Sequence, residues 1–200
     1  MKSTEKDLQS LIERAQAGDE YAFGEIFDLF YARIYGYSLR RVLDVAVAQD
    51  IASNTFFKAY RSLNKFEWRH EASLSAWMYR IACNEVVSYM RKQSKYKLED
   101  PEMMSQYETP EDLRANYEKE LDSKAQYVVL HKAISKLKER DQNIIHLFYF
   151  EHMSHDDIAE IVQMKAGAVR VSLHRAIKRL QDLLEADPSF SNYFQAKGAQ

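Results

Sequence analysis

Two hundred residues suffice for one ordinary domain or two small ones, and 46% hydrophobic with 29% charged residues describes a folded chain rather than a disordered one. Five glycines and three prolines favour helices, and the lone Cys83 excludes an internal disulfide. The chain opens on no apolar core of signal-peptide length, and no run nears the about 20 apolar residues of a bilayer span. The expectation is a cytoplasmic protein without membrane insertion.

Residues 1–95 read as a helical domain. Leu8, Leu11 and Ile12 fall at helical spacing, and Gly18-Asp19 marks a stop and a new start. Phe23, Ile26, Phe27 and Phe30 trace an apolar stripe continued by Ile34 and Tyr37. Ala48-Gln49-Asp50-Ile51 is expected to open another helix, with Ile51, Phe56, Phe57 and Tyr60 as its bulk. After a loop from Asn64 to Ser73, a further helix carries Leu74, Trp77, Met78, Ile81, Ala82, Val86 and Met90, mostly as core. Cys83, on the apolar side of that helix, reads as a small buried residue rather than a nucleophile.

Residues 96–125 break the periodicity. Pro101, Pro110 and many acids predict an acidic linker, with one short helix around Leu113 to Leu121. Periodicity returns for a second helical domain over 126–186, with Leu130, Ile134 and Leu137 on one helix and Ile144, Ile145, Leu147 and Phe148 on the next. Ser154 is a good N-cap, Asp156 and Asp157 suit the positive end of a helix dipole, and Asp157 stands at the capping-box position. Ile158, Ile161 and Val162 are expected inside, and small Ala159 allows a second helix to approach. After the short turn Gln163-Met164-Lys165, the apolar stripe is Val169, Leu173, Ile177 and Leu180, and the remaining face carries Lys165, Arg170, Arg175 and Arg179. Short capped helix, tight turn and longer basic helix make a helix-turn-helix whose second helix suits the major groove. The tail, 187–200, has no reading. The predicted fold class is all-α, two small helical domains on an acidic linker.

Charge is distributed as basic, acidic, basic. From Lys58 to Lys97 nine bases face three acids; from Glu99 to Asp122 nine acids face two bases; from Lys165 to Leu180 there are five bases and no acid. Two basic blocks around an acidic one point to two nucleic-acid surfaces on a tether. Phe66, Trp68, Trp77 and Tyr79 interleave with Arg69, His70, Arg80, Arg91 and Lys92 in the first block, and unstacked bases need such aromatic and cationic neighbours. For Trp77, plain core packing is the competing reading. His152 and His155 have no third ligand nearby, so no metal is expected. No Gly-rich phosphate loop or Ser/His/Asp order is present, so the chain is expected to be no enzyme and to carry no cofactor and no catalytic residue.

Residues 133–180, AISKLKERDQNIIHLFYFEHMSHDDIAEIVQMKAGAVRVSLHRAIKRL, resemble region four of bacterial RNA polymerase sigma factors of the extracytoplasmic-function (ECF) group. The matching residues are Leu137, Arg140, Leu147, Ser154, Asp157-Ile158-Ala159, Gly167, Val169 and Leu173-His174-Arg175-Ala176. Three earlier segments resemble region two of the same family in the same order: AFGEIFDLFYARIYGYSLRR at 22–41, AQDIASNTFFKAY at 48–60 and FEWRHEASLSAWMYRIACNEVVSYMRK at 66–92. The resemblance implies a subunit that docks on core RNA polymerase and directs initiation at promoters through minus-ten and minus-thirty-five elements. It implies that Lys165, Ala166, Gly167, Ala168, Arg170, Val171, Ser172 and Arg175 face the minus-thirty-five duplex, while this domain also meets the flap of the beta subunit. It implies that Trp68, Arg69, His70, Trp77, Arg80 and Asn84 hold the melted minus-ten strand. Asp50, Ser53, Asn54 and Phe57 would grip the coiled coil of the beta-prime subunit. An anti-sigma factor is the expected inhibitor, and the free protein is expected to be a monomer.

The departures from the family fall on the reading surfaces. The family usually has Ser where Lys165 stands, Thr at Ala168, Ser at Val171, Arg at Ser172, and often Gly at His152. It often has Gln and an acid at Ser53 and Asn54, and its minus-ten loop is commonly shorter. Asp50 is open to a second explanation, as an acid in a helix's first turn. The rival reading of the whole chain is a stand-alone helix-turn-helix transcriptional regulator, dimeric, with an N-terminal sensing domain.

Overall fold

A computed structural model describes residues 5–99 and 129–186, and the chain divides into two compact units between Thr109 and Pro110. The described residues contain helices and no strand. The expected short helix around 113–121 and the tail lie outside the described residues.

The first unit is built from α1 (Glu5–Gln16), α2 (Glu20–Val42), α3 (Val45–Ser62), a 3-10 turn (Leu63–Lys65) and α4 (Glu71–Glu99). Helix α1 ends where Gly18 takes φ +95°, with Gly18 N–H bonding Ala15 O and Asp19 N–H bonding Arg14 O. Asp19 caps α2 by accepting from Ala22 N–H at 3.1 Å and also receives Arg14 through Nε and Nη2. The Ala22 bond first, and Arg14 second, hold the Asp19 carboxyl below its usual range. Asp44 caps α3 from Val47 N–H at 2.9 Å, so that helix starts at Val45, ahead of the expected Ala48. Helix α4 runs to Glu99, four residues into the expected 96–125 linker.

Buried alanines Ala22, Ala48, Ala52, Ala59 and Ala82 let α2, α3 and α4 approach closely around Ile26, Ile34, Leu74, Met78 and Val86. Tyr37 crosses this core, its ring edge-on to Tyr79 with centroids 5.6 Å apart and its hydroxyl 3.0 Å from Cys83 Sγ. Burial pushes the Tyr37 phenol well above its ordinary value. Cys83 is interior, as its helical position suggests.

The second unit comprises helical residues 129–135 (α5), α6 (Glu139–Ile145) running into a π turn (His146–Phe150), α7 (His155–Val162) and α8 (Ala166–Glu185). Ile144, Leu147, Ile158, Ile161 and Val169 form its core, and the stripe of α8 continues as Leu173, Ala176, Leu180 and Leu184. Ile177 and Val162, expected inside, are half-buried. At 3.6 residues per turn, the inward line from Val169 and Leu173 passes through residue 176 rather than 177. The run Asp141-Gln142-Asn143 and His146 are buried although polar. Gln142 Nε2 donates to Ser135 O and Leu137 O at 3.1 and 2.8 Å, fastening the turn before α6.

Candidate functional site

Asp50, Ser53, Asn54 and Phe57 stand three, one and three residues apart on α3, and all four are exposed along one ridge. Phe57 is 59% exposed, with the Arg61 guanidinium 5.6 Å from its ring centroid, and Tyr60 beyond it is 50% exposed. Periodicity alone counts these two rings and Phe27 as apolar bulk, whereas the family resemblance makes Phe57 a contact residue; all three are exposed. Phe27 stacks on Tyr31 and tilts against Phe56, both with short centroid distances of 4.9 and 4.6 Å. These rings leave aromatic area exposed on α2 and α3 that the first unit does not cover. Asp50 lies in the second turn of α3, because the helix begins at Val45, so a first-turn dipole role does not explain it.

The loop at 66–70 joins the 3-10 turn to α4, and polar side chains fasten both its ends. Gln16 Nε2, from α1, donates to Leu63 O at 2.9 Å and Phe66 O at 2.7 Å. Ser73, fully buried at the start of α4, donates from Oγ to His70 O at 2.6 Å, and Ser73 N–H bonds the same oxygen. Between these anchors Trp68 is half-buried while Arg69 and His70 are exposed. Trp77 is interior, 5.0 Å from the Phe66 ring, so the packing reading holds and its ring props the loop from beneath instead of facing solvent. Arg80 is half-buried and Asn84 exposed, one helical turn apart on the stripe that begins at Trp77.

In the second unit, Ser154 Oγ accepts from Asp157 N–H at 3.1 Å and donates to Asp157 Oδ2 at 2.6 Å, a closed cap for α7. That helix ends on Gln163 at φ +54°, with Met164 N–H bonding Ala159 O. Lys165 is the N-cap residue of α8 and makes no side-chain cap bond, because an ammonium cannot accept from the orphan N–H groups. From there Lys165, Gly167, Ala168, Arg170, Val171 and Arg175 are exposed, whereas Ala166 and Ser172 are half-buried. Arg179 on the same helix reaches Asp141 at 3.8 Å, tying α8 to α6. His152 takes φ +54°, the left-handed region where the resembling family often has Gly. His155 packs its ring on Phe148 at 4.9 Å, and no group of three His, Cys, Asp or Glu that could hold a metal comes together among the described residues.

Family comparison agrees with the two units. Sigma-70 region 2 matches residues 26–96 and Sigma-70 region 4 matches residues 127–180. The chain is 31% identical to the RNA polymerase sigma-H factor of Pseudomonas aeruginosa over 194 residues, covering 91% of this chain and 96% of the relative. It is 30% identical to the ECF RNA polymerase sigma factor SigW of Bacillus subtilis, covering 88% and 96%. Among solved structures, CnrH in complex with the cytosolic domain of CnrY shares the fold, with a TM-score of 0.62, 20% identity and coverage of 88% of this chain and 96% of that one. RpoE of Bartonella quintana, bound to the anti-sigma factor NepR, matches at a TM-score of 0.59 and 23% identity over 82% of this chain and 98% of its own.

A helical domain with an anchored aromatic loop, followed by a capped helix-turn-helix, is the class of a promoter-specificity subunit. The chain belongs to the ECF group of RNA polymerase sigma factors. It is therefore a non-enzymatic transcription initiation factor that works with core RNA polymerase and promoter DNA, and the stand-alone regulator is not favoured. No helix of the described residues is long and apolar enough to cross a membrane.

Gln16 and Ser73 are the positioning residues that the sequence did not disclose. Gln16 acts on carbonyls 47 and 50 positions away, and Ser73 looks like any serine beside a helix start. The only available signal for Ser73 was its place three residues after His70, the spacing of a side chain-to-backbone turn.

Proposed function

We propose that the exposed ridge Asp50, Ser53, Asn54 and Phe57 docks on the coiled coil of the beta-prime subunit, and that the second unit also engages the beta flap. The loop with Trp68, Arg69 and His70, continued by Arg80 and Asn84, receives the melted minus-ten strand. Trp77 serves that site as a support. The face of α8 from Lys165 to Arg175 enters the minus-thirty-five major groove. The free protein is a cytoplasmic monomer held in check by an anti-sigma factor, and the inhibitor assignment is supported by the Bartonella quintana relative, which is bound to the anti-sigma factor NepR.

The observation that carries the docking assignment is Phe57, a phenylalanine 59% exposed on the same helix face as Asp50. A large exposed ring among polar neighbours is what a protein interface hot spot requires. Phe57→Ser should fold normally and weaken assembly with core polymerase by more than about tenfold, read by co-elution and by promoter-directed transcripts. Assembly equal to that of the parent protein would sink the assignment.

A further inference from the structure

Val171 is the anomaly of the basic helix. It is 49% exposed in the second turn of α8, between exposed Arg170 and, one turn on, exposed His174 and Arg175. Ala168, one turn earlier, is exposed as well, and beside it the space around Gly167 is open, with nothing within 4 Å of where a side chain would begin. The result is a short apolar strip framed by the cations Lys165, Arg170 and Arg175. Packing does not explain the strip, since the stripe that holds α8 in its domain runs along Val169, Leu173, Ala176 and Leu180. Helix propensity does not explain it either, because a β-branched side chain is a poorer helix former than the straight-chain residues of the same surface.

We infer that Val171, with Ala168, is a specificity-determining residue that reads the C5 methyl group of thymine in the upstream duplex. The inference rests on the reading that α8 enters the major groove. There, each base pair offers hydrogen-bonding groups, and thymine alone among the four bases adds a methyl. Neither Val171 nor Ala168 can exchange hydrogen bonds through its side chain, so the only base feature they favour is that methyl. Both lie within the first two turns of the helix, the part that approaches base edges in helix-turn-helix complexes. Lys165, Arg170 and Arg175 can bind phosphates around the strip and press it against the groove floor. A base pair without the methyl leaves the strip facing a gap or a polar edge.

The test uses holoenzyme made from the full chain and core polymerase. The preferred upstream element is selected from duplexes randomised in that window. Each thymine of the selected element is then replaced singly by deoxyuridine, which removes only the methyl. At one or two positions the replacement should lower occupancy about fourfold, the value of burying one methyl group. Val171→Ser holoenzyme should bind the thymine and deoxyuridine forms alike, while Arg175→Ala holoenzyme should lose affinity on both and keep their ratio. A selected element indifferent to every such replacement, or a ratio unchanged in Val171→Ser, overturns the inference and leaves major-groove reading standing. Absence of any selected sequence would overturn both, and with them the assignment of α8 as a reader. Exposure of Val171 to a protein partner instead of DNA would appear as the indifferent outcome.

Discussion

The loop at 66–70 is fastened by polar bonds at its two ends, whereas α8 is fastened by an apolar stripe along its length. Gln16 and Ser73 hold the loop by its ends, Gln16 at the Phe66 carbonyl and Ser73 at His70 O and at the Arg69 and His70 N–H groups, with Trp68 between them outside any helix. Helix α8 has every internal backbone group bonded and presents its side chains in fixed register. Under the proposed function, the difference suits two ligands of different stiffness. An unstacked strand must be enclosed by something that adapts between fixed points, while duplex DNA is met by a rigid rod. It also predicts that the two elements fail in different ways.

The largest expected effect is on the rod. Leu173→Ala removes a buried contact between α8 and its unit and should cost about 3 kcal/mol of that unit's stability, read by thermal unfolding. Upstream duplex binding should be lost while the first unit stays folded. Gln16→Ala should be smaller, about 2 kcal/mol for two lost bonds to backbone carbonyls. Its signature is selective: promoter opening declines while upstream binding holds. Equal damage to both functions would erase the distinction drawn here.

Lys165→Ser separates stability from affinity on the rod. Serine can accept from the first N–H groups of α8, so the variant should gain about 1 kcal/mol of stability. It also removes a cation from the face, so the slope of log affinity against log salt should fall by about one. The smallest effect concerns the entry to α2. The Asp19 carboxyl titrates lower in the folded chain than its unfolded value of about 3.9, so its contribution is full above that pH and is lost as pH falls through the folded value. Asp19→Asn should therefore melt below the parent protein at pH 6, with the gap closing towards pH 3.

The helical stripes, the Ser154 cap and the short turn before α8 could be read directly, because each depends on residues three or four positions apart. From periodicity alone the aromatic ridge is readable in type but not in placement, and only the family resemblance marks Phe57 as a contact. Periodicity places Phe27, Phe57 and Tyr60 on apolar faces, and it does not distinguish a face covered by this chain from one left for a partner. Trp77 illustrates the converse, an aromatic in a basic segment that proves to be core. The polar residues Asp141, Gln142, Asn143 and His146 are buried around the apolar Ile144 and Ile145, and the sequence gives no local sign of it, since the bonds of Gln142 go to carbonyls of the preceding turn. The reach of Gln16 to the loop leaves no local pattern at all.

The central claim is that strand capture and duplex reading reside in separate elements. It is tested most directly by permanganate reactivity of melted thymines, measured with upstream footprinting on one selected promoter. Trp68→Ala holoenzyme should keep its upstream footprint and lose most of the permanganate signal, while Arg175→Ala should lose the footprint first. A Trp68→Ala holoenzyme that opens the promoter as fully as the parent protein would contradict the account.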